Sequence, residues 1–224
     1  MDLDLDNKYD EKYFEWQRTV GEFGGKANLF KFEPYLPTAP KTILDFGCGG
    51  GFLLKEIKDL HPDIDKVIGV EINPSARSVA QDNGVTVYEK LESIRANSVD
   101  VIISNHALEH TEEPLKVLKQ FHRILKAGGK VVVVVPHEYS TKCPKDDVNM
   151  HLYTWSPLAL SNLFERAGLT PIKADSICNA WMPHYQLVQK VFGWTIFRKL
   201  CTVYAWFKSI TRHNVLQTRV IATK

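Results

Sequence analysis

The chain has 224 residues, with 28 lysines and arginines against 26 acidic residues and a formal net charge of +2. Hydrophobic residues make up 44% of it and charged residues 24%, which is ordinary for a soluble globular protein with one sizeable core. No run of 18 apolar residues occurs, so the composition excludes a membrane-spanning helix.

The distribution of charged residues and cysteines along the chain bears on its cellular compartment and on the kind of scaffold it forms. The first fifteen residues are rich in acid, whereas no acidic residue follows Asp175. The acidic start lacks the apolar segment of a signal peptide, so we expect a cytoplasmic protein. The cysteines are scattered without a C-x-x-C pair, which disfavours a zinc site or a disulfide scaffold and suits a reducing compartment. They are Cys48, Cys143, Cys178 and Cys201.

The N-terminal region is predicted to be helical. Aromatic residues at helical spacing predict an amphipathic helix over residues 7–20, a glycine-containing break at 22–25, and a second helix over residues 28–35.

The next stretch contains the main sequence motif of the chain, a strand followed by a glycine turn. Residues 42–46 are predicted to form a buried strand, and three glycines at alternate positions follow it: Gly47, Gly49 and Gly51. Glycines at such a turn let the backbone approach a ligand closely, and the helix start that follows offers unpaired N–H groups. A dinucleotide fingerprint needs another glycine where Phe52 stands, so that pattern fails. The pattern that fits is acidic-x-G-x-G-x-G, beginning at Asp45.

This pattern resembles motif I of the class I S-adenosylmethionine (SAM) methyltransferases. A second predicted strand, residues 66–71, ends on Glu71, about twenty residues past the glycine turn. A carboxylate at that place accepts hydrogen bonds from both ribose hydroxyls of a nucleoside. A helix over residues 74–83 and a short strand over 85–88 follow.

Later segments extend the resemblance to residues 40–136. They are a buried strand at 100–104, the Leu-Glu-His of residues 108–110, a helix from about residue 111 to 125, the Arg-Ile-Leu-Lys-Ala-Gly-Gly of residues 123–129, and a fifth strand at 130–136. In this order and spacing they resemble the later motifs of small-molecule SAM methyltransferases.

The resemblance implies an α/β, Rossmann-like fold. We expect a seven-stranded, mostly parallel sheet of order 3-2-1-4-5-7-6, with strand 7 antiparallel and helices on both faces. The chain would be one domain, 1–224, whose N-terminal part, 1–38, forms a helical cap over the cofactor; Tyr13 to Trp16 could close over it. SAM is the implied cofactor and S-adenosylhomocysteine its product. The implied cofactor-binding residues are Asp45, Gly47, Cys48, Gly49, Gly51, Glu71, Ile72, Leu91 and Asn105.

The C-terminal part contains an unusual insert. A helix opened by Ser156-Pro157 is predicted to bury Leu158, Leu160, Leu163, Phe164 and Ala167. Strands over 171–178 and 215–222 then flank the helical insert, 181–213, which is aromatic and whose every charge is positive. Three interpretations stay open: a cover over the core and substrate cleft, a dimer face, or a surface resting on an anionic membrane.

Candidate catalytic residues follow from the chemistry. Methyl transfer from SAM needs an aligned acceptor, and a hydroxyl acceptor also needs a base such as His. Four histidines fall on predicted ligand-side loops; we prefer His137 and His151, while His110 could simply stabilise its loop. The four are His106, His110, His137 and His151.

A metal site is the alternative role for these histidines. The resemblance extends to quinone-biosynthetic O-methyltransferases, whose corresponding segment offers two Glu and a His to a metal. Here Glu109 and His110 match, but His106 replaces the first Glu. A mixed His/Glu/His set can bind a divalent ion; we nevertheless expect no metal.

The function predicted is methyl transfer from SAM to an O or N atom of a small metabolite. The cationic insert favours an anionic acceptor, such as a phosphate-bearing sugar or glycan precursor of a bacterial surface-polysaccharide pathway. The alternative is a quinone- or lipid-type O-methyltransferase at the membrane surface. An NAD-linked oxidoreductase is disfavoured by Phe52, and a nucleic-acid methyltransferase by the lack of a target-base motif after strand four. We expect a monomer or homodimer.

Overall fold

The computed structural model describes residues 11–37, 41–138, 149–210 and 216–224, with side chains from Val20 onward. The side chains of Tyr13 to Trp16, Cys143 and the last residues of the predicted insert, 211–213, therefore lie outside the described part.

Thirteen helices and strands, apart from short 3-10 turns, follow one another in the described residues. The helices are α1 (Glu11–Asn28), α2 (Phe52–Leu60), α3 (Pro74–Asp82), α4 (Pro114–Ile124), α5 (Pro157–Arg166) and α6 (Tyr185–Ile210). The strands are β1 (Thr42–Phe46), β2 (Lys66–Val70), β3 (Thr86–Tyr88), β4 (Val99–Asn105), β5 (Leu125–Pro136), β6 (Thr170–Cys178) and β7 (Leu216–Thr223).

The strands form one sheet of order β3-β2-β1-β4-β5-β7-β6. β1 pairs in parallel with β2 and with β4, and β2 pairs in parallel with β3. β7 is antiparallel to both of its neighbours, β5 and β6. This confirms the predicted Rossmann-like sheet. In such a sheet ligands bind beyond the carboxyl ends of the strands, where the strand order reverses, which here is at β1 and β4.

Two compact units are distinguished by their internal contacts. The first comprises residues 1–104 and 123–129 and contains β1, β2, β3 and most of β4; the second comprises residues 105–122 and 130–224. The single-domain expectation for 1–224 and the cap role of residues 1–38 stay predictions.

In the first unit, α1 is longer than the helix predicted from the sequence. The predicted break at 22–25 is wrong, because α1 runs through to Asn28. A Cβ added to Gly25 would lie 2.8 Å from the backbone oxygen of Phe52, and one added to Gly21 would lie 2.9 Å from the Phe52 ring. The glycines of α1 thus allow a close approach to α2, so they serve packing rather than flexibility.

The second unit contains a buried apolar strand, β5, and an ion pair that joins β7 to β6. Residues Val131 to Val135 of β5 are fully buried, as a strand covered on both faces requires. On β7 the Arg219 guanidinium holds Asp175 through Nε and Nη2 at 3.0 and 2.7 Å. Partial burial raises the pKa of the Asp175 carboxyl, but the hydrogen bonds and charges of Arg219 and Lys173 outweigh it and hold that pKa below its usual value.

Other boundaries differ in smaller ways. β5 begins at Leu125 instead of residue 130, so the glycines 128 and 129 fall inside the strand range and not before it. Leu158 is 72% exposed, so its predicted burial is wrong, whereas Leu160 and Phe164 are buried as predicted. The insert between β6 and β7 contains α6, which is interrupted by a non-helical residue, Gly193. None of the helices described is both long and apolar enough to cross a bilayer.

Candidate functional site

The glycine turn after β1 is held against the end of β2. The N–H groups of Gly47 and Cys48 both donate to the Val70 carbonyl, at 2.9 and 3.1 Å. Gly47, Gly49 and Gly51 all have positive φ, a conformation that glycine adopts without penalty. A Cβ at Gly51 would lie 2.9 Å from the Val85 side chain, but a Cβ at Gly49 would meet nothing within 4 Å. Gly51 therefore serves packing, while Gly49 faces open space that a ligand can occupy.

Glu71 is fixed against that turn. Its carboxylate accepts the N–H of Gly49 through Oε2 and the N–H of Asn73 through Oε1, both at 2.9 Å. Arg77 donates from Nη1 to the backbone carbonyls of Glu71 and Ile72, at 2.9 and 2.6 Å. The glycine turn and the carboxylate, 22 residues apart in sequence, thus form one rigid feature. Each carboxylate oxygen keeps acceptor capacity for a further donor.

Asp45 is a buried carboxylate with an unsatisfied oxygen. Its side chain is 3% exposed, and Oδ1 has no hydrogen-bond partner among the described residues. Burial raises the pKa of Asp45, and the negative charge of Glu71 raises it further. Burial and the same two carboxylates also raise the pKa of the Cys48 thiol, which keeps it neutral. A buried, unpaired carboxylate next to a glycine turn suits a cationic ligand group.

The remaining residues predicted to bind cofactor differ in exposure. Ile72 is 66% exposed, which leaves an apolar surface beside Glu71, whereas Leu91 is buried at 5%. The turn that carries Leu91 is held by Arg123, which donates to the carbonyls of Leu91 and Ile94, both at 2.9 Å. Sequence reasoning missed this role of Arg123, although the residue opens the Arg-Ile-Leu-Lys-Ala-Gly-Gly motif. Asn105 ends β4 and is half-buried; its contact with the cofactor, like that of Leu91, stays a prediction.

A cluster of histidines and carboxylates lies in the second unit. Glu109 is fully buried, and its Oε1 is 3.5 Å from Nδ1 of His106 and 3.9 Å from Nε2 of His151. The Nδ1 of His151 is 3.0 Å from Oε1 of Glu138. The His110 ring meets the His151 ring edge-on, with centroids 4.9 Å apart. We call Glu109, Glu138, His106, His110 and His151 the histidine cluster.

The backbone places these side chains. The N–H of Leu152 donates to the Glu109 carbonyl at 2.9 Å, which ties the loop before α5 to the turn after β4. Three of the four predicted histidines therefore meet around one carboxylate. The fourth, His137, donates its backbone N–H to the Leu216 carbonyl at 3.0 Å. Glu138 was missed by sequence reasoning; its position directly after β5 was the available signal.

The histidine cluster also contains a possible metal-ligand set. One ligand atom from each of Glu109, His110 and His151 lies within 4.8 Å of the others. Two imidazoles and a carboxylate are a donor set that binds divalent zinc, manganese or iron. This set differs from the one considered from the sequence, because His151 takes the place given there to His106.

Comparison with known proteins agrees with this fold, which is that of a class I SAM methyltransferase. The family model for a methyltransferase domain matches residues 17–174. The match covers well over half of the chain, so the protein belongs to this methyltransferase domain family. SAM is the cofactor of this class.

Two curated relatives carry the same name. The chain is 32% identical over 139 residues to the ubiquinone biosynthesis O-methyltransferase of Nitrosococcus oceani, a match that spans 55% of this chain and 58% of that protein. It is 28% identical over 155 residues to the enzyme of the same name from Ruegeria pomeroyi, spanning 61% of this chain and 62% of that protein. The chain thus covers less than two thirds of the length of these relatives.

Solved structures share the fold at low identity. A putative methyltransferase in complex with the Haloferax volcanii Trm112 methyltransferase activator superposes with a TM-score of 0.70 at 17% identity, covering 97% of this chain and 96% of that one. A SAM-dependent methyltransferase from Archaeoglobus fulgidus gives 0.65 at 19% identity, covering 96% of this chain and 100% of that one. At these identities the likeness establishes the fold.

Proposed function

We propose that the protein is a SAM-dependent O-methyltransferase that methylates a hydroxyl group of a small metabolite, with a quinone-type aromatic acceptor preferred. The proposal rests on two observations, each within its own unit: the glycine turn held by Glu71 in the first unit, and a histidine with carboxylates beside both ring nitrogens in the second. SAM supplies an electrophilic methyl group on its sulfonium and leaves as neutral S-adenosylhomocysteine.

The first unit holds the residues that would bind the cofactor. The Glu71 carboxylate, fixed by the N–H groups of Gly49 and Asn73, is placed to accept the ribose hydroxyls. The open side of Gly49 leaves room for the amino-acid end of the ligand, and the unsatisfied oxygen of Asp45 offers its ammonium group a negative partner. The exposed Ile72 side chain offers an apolar surface for the adenine.

The histidine cluster supports proton removal from a hydroxyl. Oε1 of Glu138 lies 3.0 Å from Nδ1 of His151 without hydrogen-bond geometry. Its negative charge favours the tautomer that carries the proton on Nδ1, which leaves Nε2 as the acceptor for the proton of a hydroxyl that would be methylated. Glu109, 3.9 Å from that nitrogen, then stabilises the imidazolium. An amine acceptor needs no such group, so the arrangement favours oxygen over nitrogen.

The acceptor class rests on two different observations. The relatives named above are ubiquinone O-methyltransferases, which supports the quinone-type alternative stated from the sequence. The cations Lys190, Arg198 and Lys199 motivate the second candidate, a phosphate-bearing sugar. None of the relatives cited here supports the polysaccharide pathway.

The test is S-adenosylhomocysteine release with a catechol, a nucleotide-linked sugar and a primary amine as acceptors. We expect turnover of the catechol. His151→Gln should lower it by about 10²–10⁴-fold with S-adenosylhomocysteine affinity unchanged, and the exposed His184→Gln is the matched control. Turnover of the amine alone would overturn the proposed O-methyl transfer, and full activity of His151→Gln would overturn the proposed role of His151 as the base.

The alternative role of the histidine cluster is to hold a divalent cation that lowers the pKa of a bound hydroxyl. The separation of its three donors, within 4.8 Å, is the observation that favours this role. Chelation discriminates the two. The base proposal expects catechol turnover to survive EDTA, whereas activity that is lost in EDTA and restored by Mg²⁺, Mn²⁺ or Zn²⁺ would assign the cluster to a metal.

A further inference from the structure

α6 carries apolar side chains on two opposite faces. Its inward face consists of Phe197, Cys201 and Ala205, which are at most 1% exposed and follow the i, i+4, i+8 spacing of a single helix face. The opposite face carries Ile196, Val203, Phe207 and Ile210, between 48% and 61% exposed. A helix that only covered a core would show polar residues there.

The exposed apolar surface of the described residues is concentrated on this helix. Of their fourteen exposed large hydrophobic side chains, eight lie on α6. Beyond the four just named, these are Leu187, Val191, Phe192 and Trp206. Leu187 and Val191 lie four residues apart before the interruption at Gly193, so both segments of α6 present an outward apolar face. Exposed apolar side chains concentrated on one helix in this way mark an interaction site.

The charges around this face are all of one sign. α6 carries Lys190, Arg198, Lys199 and Lys208, and no acidic residue occurs anywhere after Asp175. Lys190 and Lys199 are exposed beside the outward apolar residues. A second copy of the same face would bring cations against cations, which disfavours a symmetric dimer through α6. An anionic surface with an apolar interior complements both features at once.

We propose that the outward face of α6 is a docking surface for the anionic headgroup layer of a lipid bilayer. The helix lies in the interface plane, with its outward apolar side chains among the acyl chains and the lysines at the headgroups. Trp206, 57% exposed on this face, has the amphipathic ring that favours the same depth. This inference goes beyond the proposed methyl transfer and is independent of it.

The experiment is sedimentation of the full chain with vesicles of phosphatidylcholine alone and of phosphatidylcholine containing phosphatidylglycerol. We expect binding to the anionic vesicles only, weakening as salt is added. Lys190→Gln with Lys199→Gln should weaken it on the order of tenfold or more. Ile196→Ser, Val203→Ser and Phe207→Ser together should weaken it on the order of a hundredfold.

The control variant is Leu158→Ser with Ile172→Ser, which removes two hydrophobic side chains elsewhere in the second unit that are at least as exposed as the three replaced on α6. It should bind vesicles as the unmodified chain does. Quenching of tryptophan fluorescence by brominated lipid should fall in Trp206→Phe.

Three results would overturn the proposal. The first is no vesicle binding by a chain that binds S-adenosylhomocysteine, and the second is equal loss in the control variant. The third is a dimer that dissociates in the Ile196/Val203/Phe207 variant without any vesicle binding. Vesicle binding by a chain that ignores S-adenosylhomocysteine would instead contradict the proposed enzyme function alone.

Discussion

Replacing Asp45 by Asn should show separately how much this carboxylate destabilises the folded chain and how much it contributes to cofactor binding. The side chain is 3% exposed, and its Oδ1 has no partner among the described residues. Burial first, and the charge of Glu71 second, raise its pKa. The charged carboxylate therefore destabilises the folded chain at neutral pH, and we expect Asp45→Asn to be more stable and to bind cofactor less tightly.

The size of the stability gain follows from removing the buried charge, because Asn leaves a neutral polar group of the same shape in its place. Burying a charged group without a partner costs more than burying a neutral one, so we expect a gain on the order of 1–3 kcal/mol. For a chain of this size that gain corresponds to a rise in melting temperature of roughly 2–10 °C. Because the folded-state pKa is raised, the penalty is absent below the unfolded value near pH 4 and grows as the pH rises through the folded pKa. The gain should thus appear at pH 7 and vanish below about pH 4.

Binding should change in the opposite direction. A charge-assisted hydrogen bond contributes about 1.5–3 kcal/mol, so the Kd for S-adenosylhomocysteine should rise on the order of 10–100-fold. Scanning calorimetry at the two pH values and isothermal titration at pH 7 measure both effects, with the exposed Asp59→Asn as control. If Asp45→Asn melts lower at pH 7, or binds S-adenosylhomocysteine as the unmodified chain does, the reasoning about this carboxylate is refuted.

Three further predictions follow from other contacts. Glu71→Gln sets an amide NH₂ against one of two backbone N–H donors, so titration should show a loss of S-adenosylhomocysteine affinity of about tenfold or more; unchanged affinity would remove Glu71 from the site. Gly25→Ala places a Cβ 2.8 Å from the Phe52 carbonyl oxygen, and urea unfolding should show a loss of about 1–3 kcal/mol; an unaltered midpoint would mean that α1 does not pack as described. Asp175→Asn removes a carboxylate whose pKa is lowered by Arg219, so it should lose about 1–2 kcal/mol at pH 7. Because the folded-state pKa lies below the unfolded one, this stabilisation exists above about pH 4 and disappears as the pH falls through the folded pKa; a difference from the unmodified chain that persists under acid would contradict the ion-pair explanation.

The sequence was most informative where one local signal decides the structure. The buried run before the glycine turn located β1, and α2 begins at Phe52, directly after the turn glycines, where a helix start was expected. The distance from the turn to Glu71 was enough to place that carboxylate, which the structure shows against Gly49. These signals act over a few residues or within one strand–helix–strand unit, so they can be read without knowing the rest of the fold.

Features that depend on packing between segments distant in sequence were harder to predict from the sequence. The glycines in α1 predicted a break, but the approach to Phe52 turns them into contacts. Glu109 and His151 are 42 positions apart and meet because a loop hydrogen-bonds to the turn after β4. Glu138 also lies beside His151, and no sequence motif predicted this contact. Such convergence is set by tertiary structure, which a one-dimensional pattern does not encode.

The most direct test of the central claim is calorimetric titration of S-adenosylhomocysteine into the unmodified chain, with NADH titrated in parallel. The glycine turn with its two carboxylates, Asp45 and Glu71, predicts saturable, one-to-one binding of S-adenosylhomocysteine in the micromolar range and no heat from NADH. Binding of NADH alone, or no response to S-adenosylhomocysteine at millimolar concentration, would contradict the account.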